Sequence, residues 1–242
     1  MILIKKFHED AQADKIIRDK ILADFEIVKK FVKDNLYSND VIHNTETYQI
    51  ISKLYGLINE VHGFVINLNK LIELPSELLL ILLSNADNSV PSRGGLGLYK
   101  GKQAIVLYCL YGVADFVFKF IVTRLDKETF LHEMIHYYDK NRYKKNIDTS
   151  MDKFMSKGGM TAYYNNPTEY NAWAQELINK IDRSIKVRKG RPDLVPKTFD
   201  DFLSLVDKID NENWIKDLNT DYKQRFQKRL YQYYQTFVIE KK

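Results

Sequence analysis

Two histidines and a glutamate, in His132-Glu133-Met134-Ile135-His136, carry the most chemically specific spacing in the chain. On a helix, residues four apart share a face, so both imidazoles can chelate one metal ion. Glu133 projects about 100° away, where its carboxylate can act as general base on a water beside that ion. The flanks favour a helix: Asp126 suits its cap, and Phe130, Met134, Tyr137 and Tyr138 offer an apolar back. The competing reading is two buried histidines hydrogen-bonded within an amphipathic helix. With five histidines in the chain, a chance match is on the order of 0.5% by composition. Metal chemistry is the expectation.

A catalytic zinc takes three protein ligands and leaves the fourth place to water. No histidine follows His136, so the third ligand is expected to be a carboxylate, an upstream histidine or Cys109. Glu169 is the leading candidate. It follows Asn166-Pro167-Thr168 at the start of an expected helix, and small Ala172 permits close helix approach. Asn166 to Glu169 also has the spacing of a capping box, in which the glutamate serves its own helix end. Asp139 is the chief rival, because positions 132, 136 and 139 share a face, although accepting the free N–H of a ligand histidine suits it better. Glu176, one face-repeat beyond Glu169, is a third carboxylate to weigh.

Stepping outward, these residues need elements to hold them. Ile16, Ile17, Ile21, Phe25, Val28 and Val32 recur at helical intervals between Ala11 and Val32. Ile50, Ile51, Leu54 and Ile58 predict a second helix over Thr45–Asn59, and Pro75 opens a third through Leu83, with Ser76 or Leu74 near its cap. Asn85 to Gly97 concentrates loop-forming residues and is the clearest boundary. Its glycines lack the Lys-Ser/Thr ending of a phosphate loop and precede a strand.

Ala104 to Val122 is apolar and long enough to cross a membrane. Asp115 and Lys119 argue against that, since a charge near the bilayer centre costs roughly 2.5–3.5 kcal/mol. Two buried strands, at about 103–110 and 116–123 and broken near Tyr111-Gly112, fit the β-branched and aromatic content better. Further helices are expected from Asp126, from Pro167 and from Thr198. The last carries a stripe of Phe226, Leu230, Tyr233, Tyr234 and Phe237, read as core. The sum is an α+β chain, predominantly helical. A helical region over 1–90 and another over 186–242 flank a core at 91–185 that carries the motif.

Composition narrows the classes. At 45% hydrophobic and 29% charged, with 10 Gly and 5 Pro, the chain is neither disordered nor collagen-like. A single cysteine excludes a disulfide scaffold. Met1-Ile2-Leu3-Ile4-Lys5-Lys6 is too short an apolar run for a signal peptide, so a cytoplasmic, intracellular protein is expected. The net charge of +5 includes two clusters: Lys140, Arg142, Lys144 and Lys145, and Lys186, Arg188, Lys189 and Arg191. Without a groove-reading motif beside them they read as solvated faces, and nucleic acid is not an expected partner.

His132-Glu133-x-x-His136 followed by Glu169 on a later helix resembles the gluzincin branch of the zincin-type zinc metallopeptidases. The likeness covers about Gly94 to Ile185, with small bacterial and phage-encoded members as the nearest in style, and its first pentapeptide is the specific part. It implies a zincin-like domain with a small sheet, whose edge strand binds substrate backbone, and helical additions at both ends. It implies one zinc per chain on His132, His136 and Glu169, Glu133 as the base that activates water, and a peptide or protein substrate. Gluzincins commonly add an oxyanion donor, here Tyr163 or Tyr164, although among 16 tyrosines either is equally a packing residue. Many members place an aspartate four residues after the third ligand. That position is Trp173, so another group must orient the histidine. Two readings without hydrolysis stand beside this one: a structural or virion-associated protein that keeps the site, and a basic helical binding module with a coincidental motif.

Overall fold

The computed structural model describes residues 2–35, 63–85, 94–110, 125–143, 159–210 and 214–239. They form an α+β protein, mostly helical, with a mixed four-stranded sheet. Contacts divide the chain into two compact units, residues 20–145 and residues 1–19 with 146–242.

The first unit contains the second half of helix α1 (Ile2–Asn35), where Ile21, Phe25, Val28 and Val32 are buried at the expected helical spacing. Its sheet comprises β1 (Gly63–Asn67), β2 (Leu78–Asn85), β3 (Gly94–Tyr99) and β4 (Lys102–Leu110), in the order β1-β2-β4-β3. Strand β2 runs antiparallel to β1 and parallel to β4, with Leu80 opposite Ile105, while β3 is antiparallel to β4. Helix α2 (Lys127–Tyr143) packs against β3 and β4.

Two sequence expectations change here. The helix expected from Pro75 through Leu83 is strand β2 from Leu78 onward. The run Leu78–Leu83 has no polar face, and Leu78 through Leu82 are all buried between two neighbouring strands. A strand covered on both faces reads as a continuous apolar run, which local periodicity cannot separate from a buried helix. Of the loop expected over Asn85–Gly97, Asn85 ends β2 and Gly94 to Gly97 belong to β3, while the residues between lie outside those described. Pairing with β4 overrides the weak strand preference of its glycines. Lys100 (φ 49°) and Gly101 (φ 77°) then close the hairpin. Two successive positive φ values match the tight two-residue turn that suits strand twist. The strand expected at 103–110 is β4. The helix expected over 45–59 and the strand at 116–123 lie outside the described residues.

The second unit is helical. A short helical segment at 159–164 precedes α3 (Pro167–Arg188), α4 (Phe199–Ile209), α5 (Trp214–Asp217) and α6 (Thr220–Tyr233), which continues as a wider π turn over Tyr234–Ile239. Its core joins Ile178, Ile181 and Ile185 of α3 to Phe202, Trp214, Phe226 and Leu230. Trp214 meets Phe226 edge-on with ring centroids 4.8 Å apart. Phe226, Leu230, Tyr233 and Tyr234 are buried, as a core stripe requires. No described helix is long and apolar enough to cross a membrane.

Candidate metal centre

Helix α2 is fixed by its neighbours before its histidines matter. Asp126 caps it: one carboxylate oxygen accepts the backbone N–H of Glu128 (3.1 Å), the other the hydroxyl of Thr129 (2.7 Å). Strand β3 comes so close to this first turn that a Cβ on Gly94 would lie 2.6 Å from the Thr129 methyl and 2.9 Å from the Val106 carbonyl oxygen. Glycine at 94 is therefore a packing requirement. Farther along, the Tyr137 hydroxyl donates to the Ser76 carbonyl (2.6 Å) and accepts from the Ser76 N–H (2.9 Å), while the Ser76 hydroxyl donates to Asn141 (2.9 Å). Phe130 packs on Phe25 with ring centroids 5.4 Å apart.

All seven residues from Leu131 to Tyr137 are buried, including His132, Glu133 and His136. The two imidazole rings sit edge to face with centroids 4.7 Å apart, as the four-residue spacing demands. Burying three ionisable groups within five residues is costly unless they are hydrogen-bonded, paired or bound to a metal.

Helix α3 presents the carboxylate. The Asn166 side chain accepts from the Thr168 backbone N–H (2.9 Å) and hydroxyl (2.7 Å), and Pro167 fills the first turn. The Asn166 backbone N–H, which a capping-box glutamate would accept, instead donates to the Tyr163 carbonyl (3.1 Å). Glu169 is 1% exposed.

The candidate ligand atoms of His132, His136 and Glu169 all lie within 4.8 Å of one another, and all three residues are buried. Tetrahedral ligands about 2.1 Å from an ion stand about 3.4 Å apart. The donor chemistry fits as well: two imidazoles and one carboxylate form a known catalytic zinc set with one place open. No other set of three His, Cys, Asp or Glu among the described residues gathers its ligand atoms so closely.

The rival ligands stand elsewhere. Glu176 pairs with Lys180 at 2.7 Å. Asp139 is half-buried on α2 and is not part of the group. Cys109 stands opposite Ser84 in the β4–β2 ladder. Of the upstream histidines, His8 lies on α1, and His43 and His62 fall outside the described residues. Tyr163 and Tyr164 are buried with ring centroids 5.6 Å apart, and Tyr164 meets Trp173 edge-on at 5.4 Å. Packing in the aromatic core is the role their geometry displays. Trp173, where the resemblance implies an aspartate, takes part in that same packing.

Sequence reasoning missed Gly94 and Ser76 as supports of α2. A glycine among loop formers gives no sign that a helix lies against it, and Ser76 reads locally as a cap beside Pro75 rather than as a partner of Tyr137 and Asn141. Compared with family models, with curated proteins and with solved structures, the chain gives no match. The functional reading therefore rests on the buried group itself.

Proposed function

We propose that the chain is a zinc-dependent metallopeptidase of the gluzincin type. The observation that carries this reading is the buried convergence of His132, His136 and Glu169, with Glu133 on the same helix as the histidines. Zinc held by these three residues would supply Lewis acidity and a site for the attacking water. Glu133 would accept a proton on its carboxylate from the attacking water and return it to the departing amine nitrogen. The two carboxylates, Glu133 and Glu169, together carry two negative charges when ionised, which a divalent cation offsets in a site that water reaches poorly. Tyr163 or Tyr164 is the proposed donor to the developing oxyanion. The substrate is a peptide or protein.

Elemental analysis tests the first half of this reading. Protein purified without chelator or metal-affinity tag is expected to hold one zinc per chain. Near-zero zinc that titration fails to restore would sink it. Hydrolysis of a mixed peptide library tests the second half, and zinc without turnover would favour a structural protein that retains the site.

A further inference from the structure

The helical unit contains a second buried polar feature, on α3 but away from Glu169. Arg18 of α1 is 2% exposed. One of its terminal nitrogens, Nη1, donates to the Gln175 side-chain oxygen at 3.0 Å, while the other, Nη2, is buried without a hydrogen-bond partner. Asn179 is 3% exposed, and its Nδ2 is likewise buried and unpartnered. Gln175, Asn179 and Asp182 fall at i, i+4 and i+7, on one face of α3. Arg18 feels the charge of Asp182 as well as bonding Gln175, so it lies along that same face.

Asp182 does not neutralise it by contact. Its Oδ1 accepts the Tyr233 hydroxyl at 2.7 Å and its Oδ2 pairs with Lys186 at 2.6 Å. Among the described residues, the one hydrogen-bond partner of the buried Arg18 cation is a neutral amide. A guanidinium in that state strongly favours a carboxylate or other oxyanion, which it can bind through two parallel N–H groups. The unpartnered Asn179 amide, one helical turn from Gln175 on the same face, offers a further donor. Gln175 is six residues past Glu169, about 9 Å along the helix, so this feature is separate from the metal group.

We propose that Arg18 and Asn179 form a seat for a small oxyanion, a carboxylate or an inorganic phosphate. The seat stands independently of the metallopeptidase reading.

The experiment is calorimetric titration and thermal melting of the full chain with acetate and, separately, inorganic phosphate, at constant ionic strength against chloride. A saturable rise in Tm with a measurable affinity is expected for at least one of the two. The stronger responder tells a carboxylate ligand from a phosphate one. Arg18→Met, which keeps the stem and removes the charge, should weaken binding at least about tenfold. Asn179→Leu should weaken it severalfold, and this variant carries the test if Arg18→Met does not fold. The response should survive Glu169→Ala, so failure of the metal reading leaves this test standing. No saturable response, a response unchanged in both variants, or one lost in Glu169→Ala would each overturn the proposal.

Discussion

Helices α2 and α4 reach stability by opposite routes. Helix α4 is stabilised from within: the Thr198 side chain accepts the Asp201 N–H while Asp201 accepts the Thr198 N–H, and Phe202, Leu205 and Val206 form a narrow buried stripe. Helix α2 is buried continuously from Leu131 to Tyr137, leaving no polar face there for water. It is held from outside, by Asp126 before it, by Gly94 on the neighbouring strand and by Ser76 on the β1–β2 connection. The difference teaches where chemistry can be housed. A helix free to place His132, Glu133 and His136 in the interior has given up the amphipathic pattern that would stabilise it alone.

The sharpest break of this comparison is Glu133→Gln. The amide is nearly isosteric, so α2 should keep its seat and the zinc should stay. Turnover of any shared peptide substrate should fall by about 10²–10⁴, the range for losing a general base. Equal turnover by variant and parent would remove Glu133 from the mechanism.

Next in size is Glu169→Ala. It removes a proposed ligand oxygen, so zinc affinity should fall by more than the 10–100-fold typical of supporting residues. Asp139→Ala and Glu176→Ala should each stay within that range, as competition titration with a chromophoric chelator would show. If Asp139→Ala alone abolished binding, all the ligands would come from α2 and the gluzincin likeness would fail.

The contrast between the two helices also explains what could be read in advance. The motif was legible because two histidines and a glutamate at this spacing are rare, and Glu169 because it opens a helix behind Asn166-Pro167. Helix α6 and its aromatic stripe followed from periodicity, since a half-exposed helix prints its face in the sequence. Strand β2 was misread for the complementary reason. Leu78 through Leu82 are all buried, so neither period shows, and only pairing with β1 and β4 decides the conformation. Gly94 resembled a loop residue because its function depends on Thr129, which lies 35 positions away.

Gly94→Ala tests that dependence on outside support. The added methyl would meet the Thr129 methyl and the Val106 carbonyl oxygen, and the latter is backbone that cannot rotate away. Overpacking of this kind costs typically about 1–3 kcal/mol, and the shifted α2 should also bind zinc less tightly. Gly97→Ala is the matched control on the same strand, where a Cβ meets nothing within 4 Å. It should change stability by about 0.5 kcal/mol at most. Thr129→Ser, which deletes the nearest of the three crowding groups, should recover part of the loss in Gly94→Ala. Equal melting temperatures for the two glycine variants would show that β3 and α2 do not need the close approach.

The smallest effect belongs to α4. Thr198→Ala removes the side-chain cap and should cost about 1 kcal/mol in urea unfolding near neutral pH, with zinc affinity unchanged. The capping bond also predicts a pH signature. Hydrogen bonds from the Thr198 side chain and backbone hold the Asp201 carboxyl below its ordinary value of 3.8. A carboxyl depressed in the folded state contributes stability above its unfolded pKa and loses it as pH falls through the folded one. The gap between parent and Thr198→Ala should therefore be constant above about pH 5 and narrow below about pH 4. Asp126→Ala makes the comparison complete, since it removes a cap of the same type from α2. There the stability loss should come with weaker zinc binding, because the capped helix carries His132 and His136. If both cap variants left zinc affinity untouched, the seat of α2 would not depend on its first turn, and the division between inwardly and outwardly supported helices would have to be redrawn.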